Sequence, residues 1–280
     1  AIVWLYRGQQ ARFLGLVQSY ITRLGTEAAA VDAALAAFET TLMASHAPLA
    51  AFLDSVKGIE ALPQDKRQGL AEAISEWNSA ASAYASDRAT LVTGLAAFCK
   101  SVAQPPQTNP AQHTARQTFD PLAVAARGLV KQLDQLYKLA ARTAQLAQEL
   151  ATQDAAAEFY DRRAVGKLSK QLDAERKSAV EQLKDCAYLH RQIAWLQERF
   201  PEAVMQDVLG LCKVVTRAEI EAADWSLTPG RFVGVAPAEV DEDFDFEQTL
   251  RDIHLELADL NREAGELAVK IQTNFEELGV

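Results

Sequence analysis

Apolar side chains recur every three or four residues along most of this chain, a spacing that specifies helices rather than strands. Over residues 1–24, Ile2, Leu5, Phe13, Leu16, Val17, Tyr20 and Leu24 fall on one side of a helix, which predicts a buried first element. Two Ala-rich helical stretches follow at about 27–57 and 64–102, parted by Lys57-Gly58 and Pro63 and expected to pair as an antiparallel hairpin. Residues 103–117 hold three prolines among polar residues, so an exposed connector is expected there. The pattern then returns as two long helices over roughly 121–160 and 163–200. Their apolar positions include Leu129, Leu133, Leu136, Leu168, Leu172, Leu183, Ile193 and Leu196, and they are long enough for coiled-coil-like pairing.

Residues 201–246 break the pattern. FPEAVMQDVLGLCKVV leads to a short helix near Arg217–Ala223, then to DWSLTPGRFVGVAP and an acidic stretch, EVDEDFDFE. Short strands are expected at about 212–215 and 231–235, and Pro229-Gly230 suits a tight turn in which Gly230 takes a positive φ before Arg231 enters an extended segment. From 247 onward, Leu250, Ile253, Leu257, Leu260, Ala264, Leu267, Ile271, Asn274 and Leu278 alternate spacings of three and four. So narrow a stripe on a terminal helix needs a partner to cover it. The expected organisation is a helical region at 1–102, a Pro-rich connector at 103–117, a long helical hairpin at 118–200, a mixed segment at 201–246 and an amphipathic helix at 247–280. The fold class is all-α.

Composition agrees with that class. Of 280 residues, 49% are hydrophobic, with 13 Gly and 9 Pro, which suits long helices around a sizeable core. The formal charge of −10 is uneven: residues 1–200 carry 22 Lys+Arg against 20 Asp+Glu, whereas 201–280 carry 6 against 18. The acidic end repels phosphates and is expected to face protein or solvent. Cys99, Cys186 and Cys212 lie far apart with no C-x-x-C pair, which points away from a disulfide framework or zinc site and towards a reducing, cytoplasmic setting. No unbroken apolar run reaches membrane-spanning length, and AIVWLYRGQQ lacks the basic start of a signal peptide, so no membrane association is expected. Because the chain begins with Ala, the expectation is a fragment of something longer.

Two stretches, FPEAVMQDVLGLCKVVTRAEIEAADWSLTPGRFVGV and IHLELADLNREAGELAVKIQTNFEELGV, resemble the C-terminal region of the modification subunit of type I restriction-modification systems. AIVWLYRGQQARFLGLVQSY is similar to a segment that follows the catalytic core of that subunit. The likeness covers residues 1–24 and roughly 195–280; the helices between carry little motif information. It implies membership of a protein that transfers a methyl group from S-adenosylmethionine to the exocyclic amine of adenine in DNA. Two such subunits assemble on one specificity subunit, which reads the target, so the implied partner is that subunit, with DNA contacted indirectly or weakly. Docking of the nuclease subunit is left open. The family's Asn-Pro-Pro-aromatic motif is absent: Asn109-Pro110 is followed by Ala111 and Gln112, and Pro105-Pro106 is flanked by glutamines. No glycine-rich turn is present for the cofactor. No catalytic, cofactor-binding or metal residue is therefore assigned, and S-adenosylmethionine is expected to bind the full-length protein outside this segment.

Two groups of site residues follow. The seam of Leu250, Ile253, Leu257, Leu260, Leu267, Ile271 and Leu278 is the expected partner-binding face. The interval Arg162–Lys177 is basic, and Arg162, Arg163, Lys167 and Lys170 are candidate phosphate contacts, weighed against an ordinary solvated helix face. His46, His113, His190 and His254 are scattered, and Cys186 with His190 at four-residue spacing makes no closed metal site. Trp4, Trp77, Trp195 and Trp225 read as core or packing residues. A free-standing helical scaffold protein is the alternative from another functional class.

Overall fold

A computed structural model of the chain describes residues 1–236 together with Leu250, Leu257, Ala264, Gly265, Ala268 and Ile271. The chain divides into two units, Ala1–Val208 and Leu209–Val280. Seven α-helices and one 3-10 turn, with no strand, make up the regular structure of the described residues, so the all-α reading holds.

The first unit is a bundle of four long helices. After the short α1 (Ile2–Tyr6) come α2 (Gln10–Val56), α3 (Gln64–Ser101), α4 (Asn109–Leu150), the single-turn α5 (Asp154–Ala157) and α6 (Arg162–Arg199). Neighbours in sequence are neighbours in space: α2 packs on α3, α3 on α4, α4 on α6 and α6 back on α2, while α2 and α4 also touch across the bundle. With 47 residues, α2 runs for about 70 Å at 1.5 Å per residue.

The sequence pattern places a helix break near residue 25, and α2 runs straight through it. Its buried positions Phe13, Val17, Ile21, Leu24, Ala28, Val31, Leu35, Phe38, Leu42, Ser45, Leu49, Phe52 and Val56 keep the three-and-four spacing across Gly25. That seam outweighs one weak helix former. Gly25 instead allows a close approach: a Cβ there would meet Val102 Cγ2 at 3.0 Å, and its carbonyl accepts from Cys99 Sγ at 3.4 Å. By length and composition α2 is apolar enough to cross a membrane, but its apolar seam is buried against the other helices of the bundle.

Two prolines account for the difference between the expected and observed start of α4. The helix starts at Asn109, inside the stretch expected as a connector, with Pro110 in its first turn where no ladder donor is needed. Pro121, the expected helix start, lies within it, as Pro48 lies within α2. Each proline leaves the carbonyl four residues earlier, on Gln117 and Ala44, without its donor. Both of those residues are exposed. At the other end α4 stops at Leu150 rather than near 160, and the chain turns through α5 before Asp161 caps α6 by accepting from the Ala164 amide at 2.9 Å. The regions 1–102 and 118–200 thus form one body, and the true connector between α3 and α4 is 102–108.

Aromatic pairs mark the length of the core. Phe13 meets Phe200 at one end, Phe98 meets Phe119, Phe38 meets Tyr84 in the middle, and Phe52 meets Tyr160 at the other end, all edge to face at 4.8–6.0 Å between centroids. Truncating Leu133, fully buried on α4, to Ala is expected to cost about 2–5 kcal/mol, whereas Met43→Ala on the exposed face of α2 changes stability by less than about 0.5 kcal/mol. Urea unfolding midpoints of the two variants check this.

Candidate functional site

The basic interval lies on the first turns of α6, at the end of the bundle marked by Phe52 and Tyr160. Arg162, Arg163, Lys167 and Lys170 are exposed and form no ion pair among the described residues. The last two cations of the interval are committed elsewhere. Arg176 bridges Asp134 on α4 and Asp173 and lies over the Tyr137 ring, while Lys177 pairs with Asp173 at 2.6 Å. Those bonds, Lys177's first and then Arg176's, hold the Asp173 carboxyl below the usual carboxylate range. Four cations therefore remain available to an anionic surface.

No cluster of three candidate metal ligands occurs among the described residues. Cys186 is buried, and burial, with Glu27 and Asp185 nearby, pushes its thiol up to about 12. His190 is half-buried and shares a 2.7 Å contact between Nε2 and Asp120 Oδ1. Asp120 also faces Arg116, which reaches Glu198, so these groups tie α4 to α6.

Between α2 and α3 lies an open groove of about 490 Å³, with Trp77 and Tyr84 at its floor and Met43 and His46 on its wall. It arises because α3 buries only one residue per seven along Trp77, Tyr84 and Leu91, with small residues between. Its carboxylate, Glu39, is held by Arg88 at 2.9 Å, and burial raises the Tyr84 hydroxyl far above its ordinary value, so it stays protonated. Ser82, also on its lining, donates its hydroxyl to Asn78 O at 3.0 Å.

The second unit places its chemistry around one short helix, α7 (Arg217–Ala222). Thr216 Oγ1 accepts from the Glu219 amide at 3.3 Å, and Glu219 Oε2 accepts from the Thr216 amide at 2.7 Å, a complete capping box. The T-x-x-E spacing that signals it is legible in the sequence. The expected strands are not formed: 212–215 holds a single bridge residue at Cys212, and Pro229–Arg231 is a 3-10 turn. That turn needs right-handed backbone at Gly230, and positive φ falls elsewhere in this unit, on Gly210 and Gly234 and on Asp224 and Trp225 at 54° and 59°. Left-handed backbone at two consecutive non-glycine residues is strained, and no feature of the residue types signals it.

The strained turn is held from both sides. The Trp225 amide donates to Ile220 O at 2.9 Å, and Arg231 Nη1 donates to Ala223 O at 3.0 Å. Arg217 lies 5.6 Å from the Trp225 ring centroid. Trp225, expected as a packing residue, is 56% exposed, beside Leu227 at 76% and Val235 at 87%. Trp77 alone of the four tryptophans is buried; Trp4 and Trp195 are half-buried under Arg12 and Arg199.

Of the partner-binding seam, Leu250, Leu257 and Ile271 are helical and 56%, 55% and 53% exposed. Ile253, Leu260, Leu267 and Leu278 lie outside the described residues, as does the acidic stretch of 239–247. No protein-family model matches the chain, and comparison with curated proteins and with solved structures finds no match either.

The capping box gives a pH signature. The Thr216 amide, Lys213 at 2.9 Å and the Thr216 hydroxyl lower the Glu219 carboxyl to about 2. A depressed folded value means the cap is complete above the ordinary glutamate range and is lost as pH falls through about 2. Carbon chemical shifts of the Glu219 carboxyl should therefore titrate well below those of an exposed glutamate, and Glu219→Gln should abolish the accompanying shift of the Thr216 amide.

Proposed function

We propose that this chain is an assembly segment of a type I restriction-modification methyltransferase subunit, packing on the DNA-specificity subunit through its C-terminal helix. The observation that carries this reading is the seam itself. Leu250, Leu257 and Ile271 stand at whole-heptad spacing, are helical, and are each more than half exposed. Large aliphatic side chains repeated on one helix face favour burial by about 1.5–3 kcal/mol each, so such a face is stabilised by a partner helix. The resemblance of residues 195–280 to the family's modification subunit supports the specificity subunit as that partner. On this reading methyl transfer, with S-adenosylmethionine, belongs to a catalytic core elsewhere in the protein, and the compartment is the cytoplasm. A free-standing helical scaffold accounts for the same bundle; an upstream reading frame encoding an Asn-Pro-Pro-aromatic motif would separate the two.

The four free cations on α6 fit a weak, sequence-independent contribution to DNA binding by the assembled enzyme. Charge reversal at Arg162, Arg163, Lys167 and Lys170 is expected to flatten the dependence of log K on log salt by about one unit for each phosphate that is no longer neutralised. An unchanged slope would make them a solvated face.

The assembly reading is tested at the seam. Leu257→Asp with Leu260→Asp places carboxylates where the partner helices would bury them, at a cost of several kcal/mol. The double variant should keep its helicity and melting temperature while losing co-purification with the specificity subunit. Loss of the cooperative unfolding transition would mean that the seam packs inside the chain, and normal stability with normal co-purification would remove the helix from the assembly.

A further inference from the structure

We infer that residues 10–202 are an inserted module, a closed helical arm whose two ends meet at one point, and that the segments flanking it fold and assemble without it. Four long helices in ring order bring the chain back to the end from which it departed. There the two ends are fastened to each other. Gln10 Nε2 donates to Glu202 O at 3.2 Å, Phe13 packs edge to face on Phe200, and Asn109 Nδ2 and His113 Nε2, from the first turns of α4, both reach Pro201 O, at 2.6 and 2.9 Å. The starting and finishing backbones are thus one glutamine side chain apart, a gap that about three residues span at ~3.5 Å each. This is the geometry in which one fold accepts another as an insertion.

The arm also satisfies its own core. Its seams on α2, α3, α4 and α6 are buried against one another, and over residues 10–202 the exposed large apolar side chains are only Met43, Val124, Phe159 and Tyr188, set far apart in sequence. The short flanks are mixed. Leu5 and Ala203 are buried beside the arm, whereas Val3, Tyr6 and Val204 stand exposed within a few residues of the junction, and in the second unit Trp225, Leu227 and Val235 are exposed around the strained turn. Apolar surface concentrated outside a self-sufficient module marks the flanks as the surface made for contact. The arm, with its near-balanced charge, is left free for a separate task.

The experiment replaces residues 10–202 with Gly-Ser-Gly between Gln9 and Ala203, and in parallel melts the arm inside the full chain with Leu35→Asp, at a fully buried position on α2. Two readouts are taken. Backbone chemical shifts of residues 216–236, including the left-handed signature of Asp224 and Trp225, should match those of the intact chain in both variants. Capture by the specificity subunit, which rests on the assembly reading above, should equal that of the intact chain. Collapse of those shifts in both variants would overturn the inference, because the flank would then need the arm in order to fold. Preserved shifts with abolished capture, where the intact chain is captured, would overturn it by putting the assembly surface on the arm. If the intact chain is itself not captured, the assembly reading falls and the chemical shifts alone decide the inference.

Discussion

The seam along α2 is the constraint on which the bundle depends. One face of a 47-residue helix is shared among three partners, because α2 touches α3, α4 and α6. Its buried residues carry little more than hydrocarbon, so the attraction is non-directional, and it is the regular spacing that fixes which face turns inward. Two polar exceptions, Thr41 and Ser45, lie in the seam, and Ser45 satisfies its hydroxyl by donating to Thr41 O at 2.8 Å. Everything else in the first unit follows from keeping that stripe covered: the length of the partner helices, the passage through Gly25 and Pro48, and the small residues where helices approach closely. Gly94 is the clearest of these, since a Cβ there would come within 2.4 Å of Leu122 Cδ2 on α4.

A uniform apolar seam sets orientation better than it sets register, and register is where the polar contacts act. Gln112, fully buried near the start of α4, donates to Leu14 O at 2.9 Å and Pro106 O at 3.0 Å, pinning α4 to α2 and to the connector. Gln182 on α6 reaches Glu27 O at 2.9 Å, and Arg88 on α3 grips both Asp32 and Glu39 on α2. Slipping α4 by one turn would leave the buried Gln112 amide without its acceptors, at about 1–3 kcal/mol, and slipping α6 or α3 would part the half-buried Gln182 and Arg88 from theirs. The bonds from Asn109 and His113 to Pro201 extend the same logic to the point where the chain leaves the bundle.

The second unit is built on a different principle. Its described residues 209–236 have no buried seam, and hydrogen bonds and caps around α7 hold their shape. Backbone strain at Asp224 and Trp225 is maintained by the Trp225 amide and by Arg231, and its effect is to present an indole outward under Arg217. A small body of this kind, with apolar side chains facing out, contrasts with the self-covered bundle.

Much of this is legible in the residues themselves. The helical class, the span of α6 and the short helix after Thr216 each follow from local spacing and caps, which act within a few residues and so are written in the order of the letters. Three of the differences involve glycine or proline: Gly25 and Pro121 read as ends, and Gly230 as a left-handed turn. Each has a local preference against helix or for a turn, worth about 1–3 kcal/mol, and in α2 and α4 a long buried seam supplies more than that. The closure of four helices into one body, the meeting of Gln10 with Glu202 and the strain at Trp225 depend on groups up to 192 positions apart or on forces converging from several directions, and no spacing rule encodes them. Residue order alone dictates which faces are apolar. Which of those faces cover one another is settled only when the helices are assembled, because burial is a property of neighbours in space.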